Sequence, residues 1–216
     1  MRDAELTALK RAATHAFTTL DVCRRKWAVL SSEGKTALSN CINANLRLAH
    51  SEGGDWPAGF GLVRGGVLQR ALQERQKAEE AVPPVLLALE VVVADMRAAS
   101  EALKIRADAV VSAQHLEPTT PLMHGESVER TVARVADLAR TFERELEMRQ
   151  CIAAELAGSG AAKGGDNSGE AADVPGWDAN AQILLAAWVM EPHVDGEHLD
   201  LLFEAVAAEP GTTRGR

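Results

Sequence analysis

The densest group of chemistry-bearing side chains is His193, Asp195, Glu197 and His198, four potential metal ligands within six residues. Imidazole and carboxylate together suit a divalent cation. These four fall where a turn between two short helices is expected, just after Pro192, and a solvated acidic turn accounts for them without an ion. Helical bundles bind metals through Glu-x-x-His on facing helices, and that spacing is absent around all six histidines. Gly59-Phe60-Gly61 with Gly65 has the outline of a dinucleotide loop, and Gly158 to Gly165 with Lys163 that of a phosphate loop. Both follow helical stretches instead of strands, and Lys163 precedes two glycines where a phosphate loop has Ser or Thr, so neither has the scaffold that chemistry needs. No serine or cysteine stands in a recognisable nucleophile setting. The residues therefore assign no catalytic group, no metal and no cofactor. A helical-bundle metalloenzyme is kept as an alternative, which would require bound metal after purification.

The elements that hold these residues are read from apolar periodicity. From Leu6, every third then fourth residue is Leu9, Ala13, Ala16, Leu20, Cys23, Trp27, Leu30, Gly34, Ala37, Cys41, Ala44 and Leu48, without one charge. A period near 3.5 keeps one seam facing a partner helix, so residues 6–48 read as one helix of about 65 Å. Ser51 to Gly66, with six glycines and Pro57, reads as a turn whose Trp56 and Phe60 dock back on the helices. A second helix is expected over about 67–115, with inward Val82, Val85, Leu89, Val92, Met96, Ala99, Leu103, Val110 and Ala113, and only Arg106 off register. Pro83 and Pro84 predict a kink or restart near Ala81.

Pro118 and Pro121 close that unit. Ser127 then caps a third helix reaching about Ala157, with Val128, Val132, Val135, Leu138, Phe142, Leu146, Ile152 and Leu156 inward. Residues 159–176 lack an apolar period and read as a flexible linker. Two short helices follow, 177–190 with Ile183, Leu184, Ala187 and Trp188, and 196–208 with Leu199, Leu202, Phe203 and Val206 on one face. The fold expected is all-α: an antiparallel bundle of three long coiled-coil-like helices over 1–158, a short acidic helical appendage over 177–208, and a disordered tail over 209–216.

Composition agrees. Across 216 residues, apolar types reach 46% while aromatics are 4%, with no tyrosine, a mix that suits close helix packing and not sheet cores. Cys23, Cys41 and Cys151 have no Cys-x-x-Cys spacing, and the first two sit on the heptad seam as small buried hydrophobes of a reducing compartment. Residues 1–10 carry Arg2, Asp3 and Glu5 and no apolar run, so no signal peptide is expected, and no apolar run approaches a bilayer-spanning length. The net charge of −8 is uneven. Residues 1–47 hold eight Lys or Arg against four acids, whereas 164–213 hold ten acids and no Lys or Arg. These two ends attract each other or opposite partners. Direct nucleic-acid binding is not expected, because only Arg24, Arg25 and Lys26 form a cationic cluster, and it reads as a solvated helix face.

Three stretches resemble the cyclin-dependent kinase 2-interacting protein family. Arg25-Lys26-Trp27-Ala28-Val29-Leu30, then Gly34 and Ile42-Asn43-Ala44-Asn45-Leu46, is similar to that family's tryptophan-centred first helix. Glu145 to Ala157, Glu-Leu-Glu-Met-Arg-Gln-Cys-Ile-Ala-Ala-Glu-Leu-Ala, is similar to its strongest stretch, and Leu184 to Val194, with Trp188, Pro192 and Val194, to its Trp-x-x-x-Pro-x-Val ending. The resemblance implies a small adaptor without enzymatic activity, nuclear with the cytoplasm as a further location. It implies as partners a helical protein, AAA ATPase subunits, and a cyclin-dependent or replication-initiating kinase, in DNA replication, checkpoint signalling and ribosome biogenesis. No membrane is expected among the partners.

The residues expected to touch partners are Trp27, Leu30, Trp188, Pro192, Val194, Leu199 and Phe203. For Trp27, on the seam, core packing competes with a partner-facing role. Trp188 lies beyond a linker and beside a helix-ending proline, which favours a contact. A subunit of a cytoplasmic coiled-coil tethering or cytoskeletal complex uses the same heptads and is the alternative function.

Overall fold

A computed structural model describes residues 2–53, 57, 59–113, 115–161 and 175–208. The chain is mostly helical. In order the elements are α1 (Arg2–Gly53), α2 (Gly61–Glu80), α3 (Val82–Ser112), strands β1 (Pro121–Met123) and β2 (Glu126–Ser127), α4 (Val128–Ala161), α5 (Pro175–Met190) and α6 (Gly196–Ala207). No helix among the described residues is long and apolar enough to cross a membrane.

Eleven of the thirteen α1 seam residues are buried, and Leu6 and Leu30 are half-buried. The interruption near Pro83 is a restart: α2 ends at Glu80, Ala81 is a turn, and both prolines sit in the first turn of α3, where a missing N–H leaves no helical hydrogen bond unmade. Beyond Leu103 the buried position is Ala107 instead of Arg106, so the seam passes the charge by one residue, and Ala113 is exposed.

The glycine-rich turn is shorter than its composition suggests. Glycine costs about 1 kcal/mol in a helix interior, yet Gly61 opens α2 and Gly65 and Gly66 lie inside it, between Val63 and Val67. Phe60 does not dock back; it is exposed, and Trp56 lies outside the described residues. The small hairpin was not foreseen. β1 and β2 pair antiparallel around His124 and Gly125, whose φ values of 49° and 75° meet the left-handed demand of a two-residue loop. Leu122 and Met123 are buried there. Ser127 does cap α4, its Oγ accepting from the Arg130 N–H at 3.2 Å.

The chain divides into two compact units, and α1, α3 and α4 contribute to both. The first comprises Met1–Ala28, Glu90–Leu146 and Pro192–Arg216. Its core includes Leu9, Phe17, Leu20 and Trp27 of α1, Met96 and Leu103 of α3, Val135 and Phe142 of α4, and Leu199 of α6. Trp27 and Phe142 meet edge to face, 5.2 Å between centroids at 77°. The second unit, Val29–Leu89 and Glu147–Glu191, buries Leu38, Cys41 and Leu48 of α1, Ala71 and Ala78 of α2, Leu89 of α3, Ile152 and Leu156 of α4, and Trp188 of α5. The segment expected as one appendage is thus divided, α5 grouping with the second unit and α6 with the first. Most of the expected linker, residues 162–174, and the tail 209–216 lie outside the described residues.

Candidate functional site

The most concentrated polar chemistry is buried, and it lies in the second unit. On α4, Val128, Thr131, Val135, Leu138, Phe142, Glu145, Arg149, Ile152 and Leu156 are spaced alternately three and four apart, and every one is buried. Two of these seam positions are full charges. A buried charge is tolerated only when paired and hydrogen-bonded.

Arg149 is hydrogen-bonded on both of its Nη atoms. Its Nη2 meets Glu191 Oε1 at 2.5 Å and the Trp188 carbonyl at 3.4 Å, while Nη1 donates to Ser31 Oγ at 2.7 Å. Ser31 Oγ in turn donates to Glu191 Oε1 at 2.7 Å. The guanidinium lies 4.5 Å from the centroid of the Trp188 ring, in cation–π range. The indole Nε1 donates to the Ser31 carbonyl at 3.1 Å, so the ring is held at its polar tip as well as its face.

Gly34 makes this possible. A Cβ on Gly34 would stand 2.3 Å from Trp188 Cζ2, so only glycine lets the ring lie against α1. Glu191 follows the last residue of α5 with φ of 45°, the left-handed conformation that ends many helices, usually on glycine. A glutamate there supplies the carboxylate that Arg149 requires. In the first unit, Glu145 Oε2 accepts from the His193 N–H at 3.3 Å.

The residues expected to touch partners fall at different depths. Trp188 is not a free contact residue; it is 1% exposed and locked between Arg149 and Gly34. Trp27 is equally buried, against Phe142, and its packing role prevails. Leu199 is buried, and Phe203 is half-buried beneath the Arg24 guanidinium, 5.2 Å from the ring centroid. Arg24 is therefore not part of a solvated face: it also pairs with Asp200 at 2.6 Å and Asp21 at 3.1 Å, one realised attraction between the basic and acidic ends. Leu30 and Val194 are half-buried and Pro192 is exposed. Of the candidate cation ligands, Asp195 caps α6 by accepting from the His198 N–H at 3.1 Å. No group of three or more His, Cys, Asp or Glu among the described residues is placed to hold a metal ion.

Cys41 lines an apolar pocket of about 120 Å³ with Leu38, Val82, Leu86 and Leu156. Burial, aided by the Glu79 charge, pushes its thiol above the ordinary range, and Cys23 is raised by burial and by Asp95. Such thiols are packing groups and not nucleophiles.

Apolar periodicity finds Leu146, which is buried, and Val132, which is half-buried, but it passes over the buried Thr131, Glu145 and Arg149 and gives no signal for Ser31 or Glu191. The signal is the unbroken three-then-four spacing itself, which runs from Val128 to Leu156 through Thr131, Glu145 and Arg149. No protein-family model matches the chain, and no curated protein matches it.

Proposed function

We propose that this protein is a non-enzymatic helical adaptor of a nuclear complex. In this reading it links AAA ATPases or cell-cycle kinases, through a helical partner protein, to DNA replication and genome maintenance, with ribosome biogenesis as a further setting. Its long helices, α1, the α2 and α3 pair, and α4, are taken as the arms of an antiparallel bundle.

The observation that supports this reading is the convergence at Trp188. The three separate stretches that resemble the cyclin-dependent kinase 2-interacting proteins supply Gly34, Arg149 and Trp188, and the Trp188 ring lies against the Gly34 backbone and beneath the Arg149 guanidinium. Residues shared with such a family are then spent on architecture, as an adaptor's would be, and partner contacts fall to exposed surfaces of the helices.

Affinity purification of the tagged protein from its own cells at moderate salt, followed by mass spectrometry, tests this. Near-stoichiometric AAA ATPases or cell-cycle kinases are expected. Recovery of tethering or microtubule factors would favour the cytoplasmic coiled-coil reading instead, and recovery of no partner would overturn the adaptor reading.

A further inference from the structure

One stripe of α2 is buried along half its length and bare along the other half. Ala71 and Ala78 are buried, whereas Val67, Val63 and Phe60, which continue the same spacing toward the N-terminus, are 39%, 54% and 49% exposed. At 100° per residue, Arg64 and Arg70 fall on opposite edges of this stripe. Residues 59–73 contain no acid. Arg70 and Arg47 share the single carboxylate of Glu74, at 3.1 Å and 2.9 Å, and hold it below the ordinary carboxylate range, while Arg64 gives an N–H to the Glu52 carbonyl at 3.1 Å. Arg64 and Arg70 thus flank the bare apolar stripe, and no acid lies among residues 59–73 to neutralise them from within it.

We propose that the N-terminal half of α2 docks an acidic amphipathic helix of a partner protein. Apolar side chains of that helix at i, i+3 or i+4, and i+7 cover Phe60, Val63 and Val67, and its flanking Asp or Glu meet Arg64 and Arg70. A basic helix is opposed by the same arginines. A second copy using the same face is opposed too, because it would bring both arginine edges together. The inference rests on the adaptor reading and names one of its contact surfaces.

The test uses the full chain and two labelled peptides, an amphipathic helix with Leu at heptad spacing and Glu elsewhere, and the same peptide with Lys for Glu. Fluorescence anisotropy should show the acidic peptide binding at least about tenfold more tightly, a factor worth about 1.4 kcal/mol, with the preference shrinking as salt rises. Val63→Asp with Val67→Asp should abolish binding, and Arg64→Glu with Arg70→Glu should reverse the preference toward the basic peptide. Circular dichroism checks that each variant keeps its helicity. Equal binding of both peptides, binding of neither, or a wild-type dimer that the Val63 and Val67 variant dissolves would overturn the proposal. Failure here, with the wild-type purification still returning its partners, removes this surface and leaves the adaptor reading standing.

Discussion

Gly34 and Trp188 are complementary in the strict sense that one has no side chain because the other occupies its place: a Cβ on Gly34 would lie 2.3 Å from the indole. Gly34→Ala should therefore destabilise the protein even though alanine is the better helix former by about 1 kcal/mol. Overpacking of this kind costs about 1–3 kcal/mol, and the strain term should win. In a Trp188→Ala background the clash is gone, so the same Gly34→Ala change should be neutral or stabilising. Urea unfolding of the four proteins in this cycle measures the coupling. A destabilisation by Gly34→Ala that is the same in both backgrounds would show that the contact is not responsible.

The long helices were legible in the sequence because their seams are almost purely apolar, as Leu9, Leu20 and Leu48 show, and because Ser127 and Pro83 mark helix starts that geometry obeys. What was not legible was the use of charge inside a seam. Periodicity treats Arg149 as a surface residue, and the three-dimensional arrival of Glu191, Ser31 and Trp188 offsets its desolvation penalty. The berth of Trp188 is illegible for a related reason: a tryptophan after a featureless linker gives no hint that a glycine well over a hundred residues earlier makes room for it. The hairpin at His124 and Gly125 is too short to leave an alternating pattern.

Arg149→Ala should be among the most damaging single changes in the second unit. It leaves the Glu191 carboxylate without its cation and uncovers the face of Trp188. Loss of one partner from a buried pair costs about 3–5 kcal/mol; Glu191 is partly exposed and will rehydrate, which places the expected loss toward the lower end. Arg149→Met, which keeps bulk over the indole, should recover part of it. Thermal unfolding that ranks alanine and methionine equally would mean that packing on the ring contributes nothing.

The cysteines should separate by reactivity. Cys151 is exposed, while Cys23 and Cys41 are buried. Iodoacetamide at mildly alkaline pH should modify one thiol quickly and the other two only on unfolding. Because burial raises both buried thiols above their ordinary 9.0, the unfolded chain loses those protons first as pH climbs past that value. Stability contributed by the neutral thiols is thus intact below the ordinary value and falls above it. Cys23→Ala with Cys41→Ala should flatten that alkaline decline, followed by urea midpoints against pH.

Trp27 offers a clean separation of folding from binding. It lies in the first unit's core with Phe142 edge-on at 5.2 Å. Trp27→Ala should cost about 3–5 kcal/mol, and a double-mutant cycle with Phe142→Leu should show about 0.5–1.5 kcal/mol of coupling. Trp27→Phe should retain most of the stability. A Trp27→Ala protein of wild-type stability that nonetheless lost a partner would restore the contact role that burial denies it.

Glu191 combines a useful side chain with an unfavourable backbone. Its φ of 45° is the region where a Cβ costs about 1–2 kcal/mol, and its carboxylate binds Arg149 at 2.5 Å and accepts from Ser31 at 2.7 Å. Glu191→Gly removes both the strain and the carboxylate, whereas Glu191→Ala removes the carboxylate and keeps the strain. The alanine variant should therefore be the less stable of the two by about 1 kcal/mol. If urea unfolding finds them equal, the chain after α5 relaxes out of the left-handed conformation once its ion pair is gone, and the ion pair itself is what holds residue 191 there.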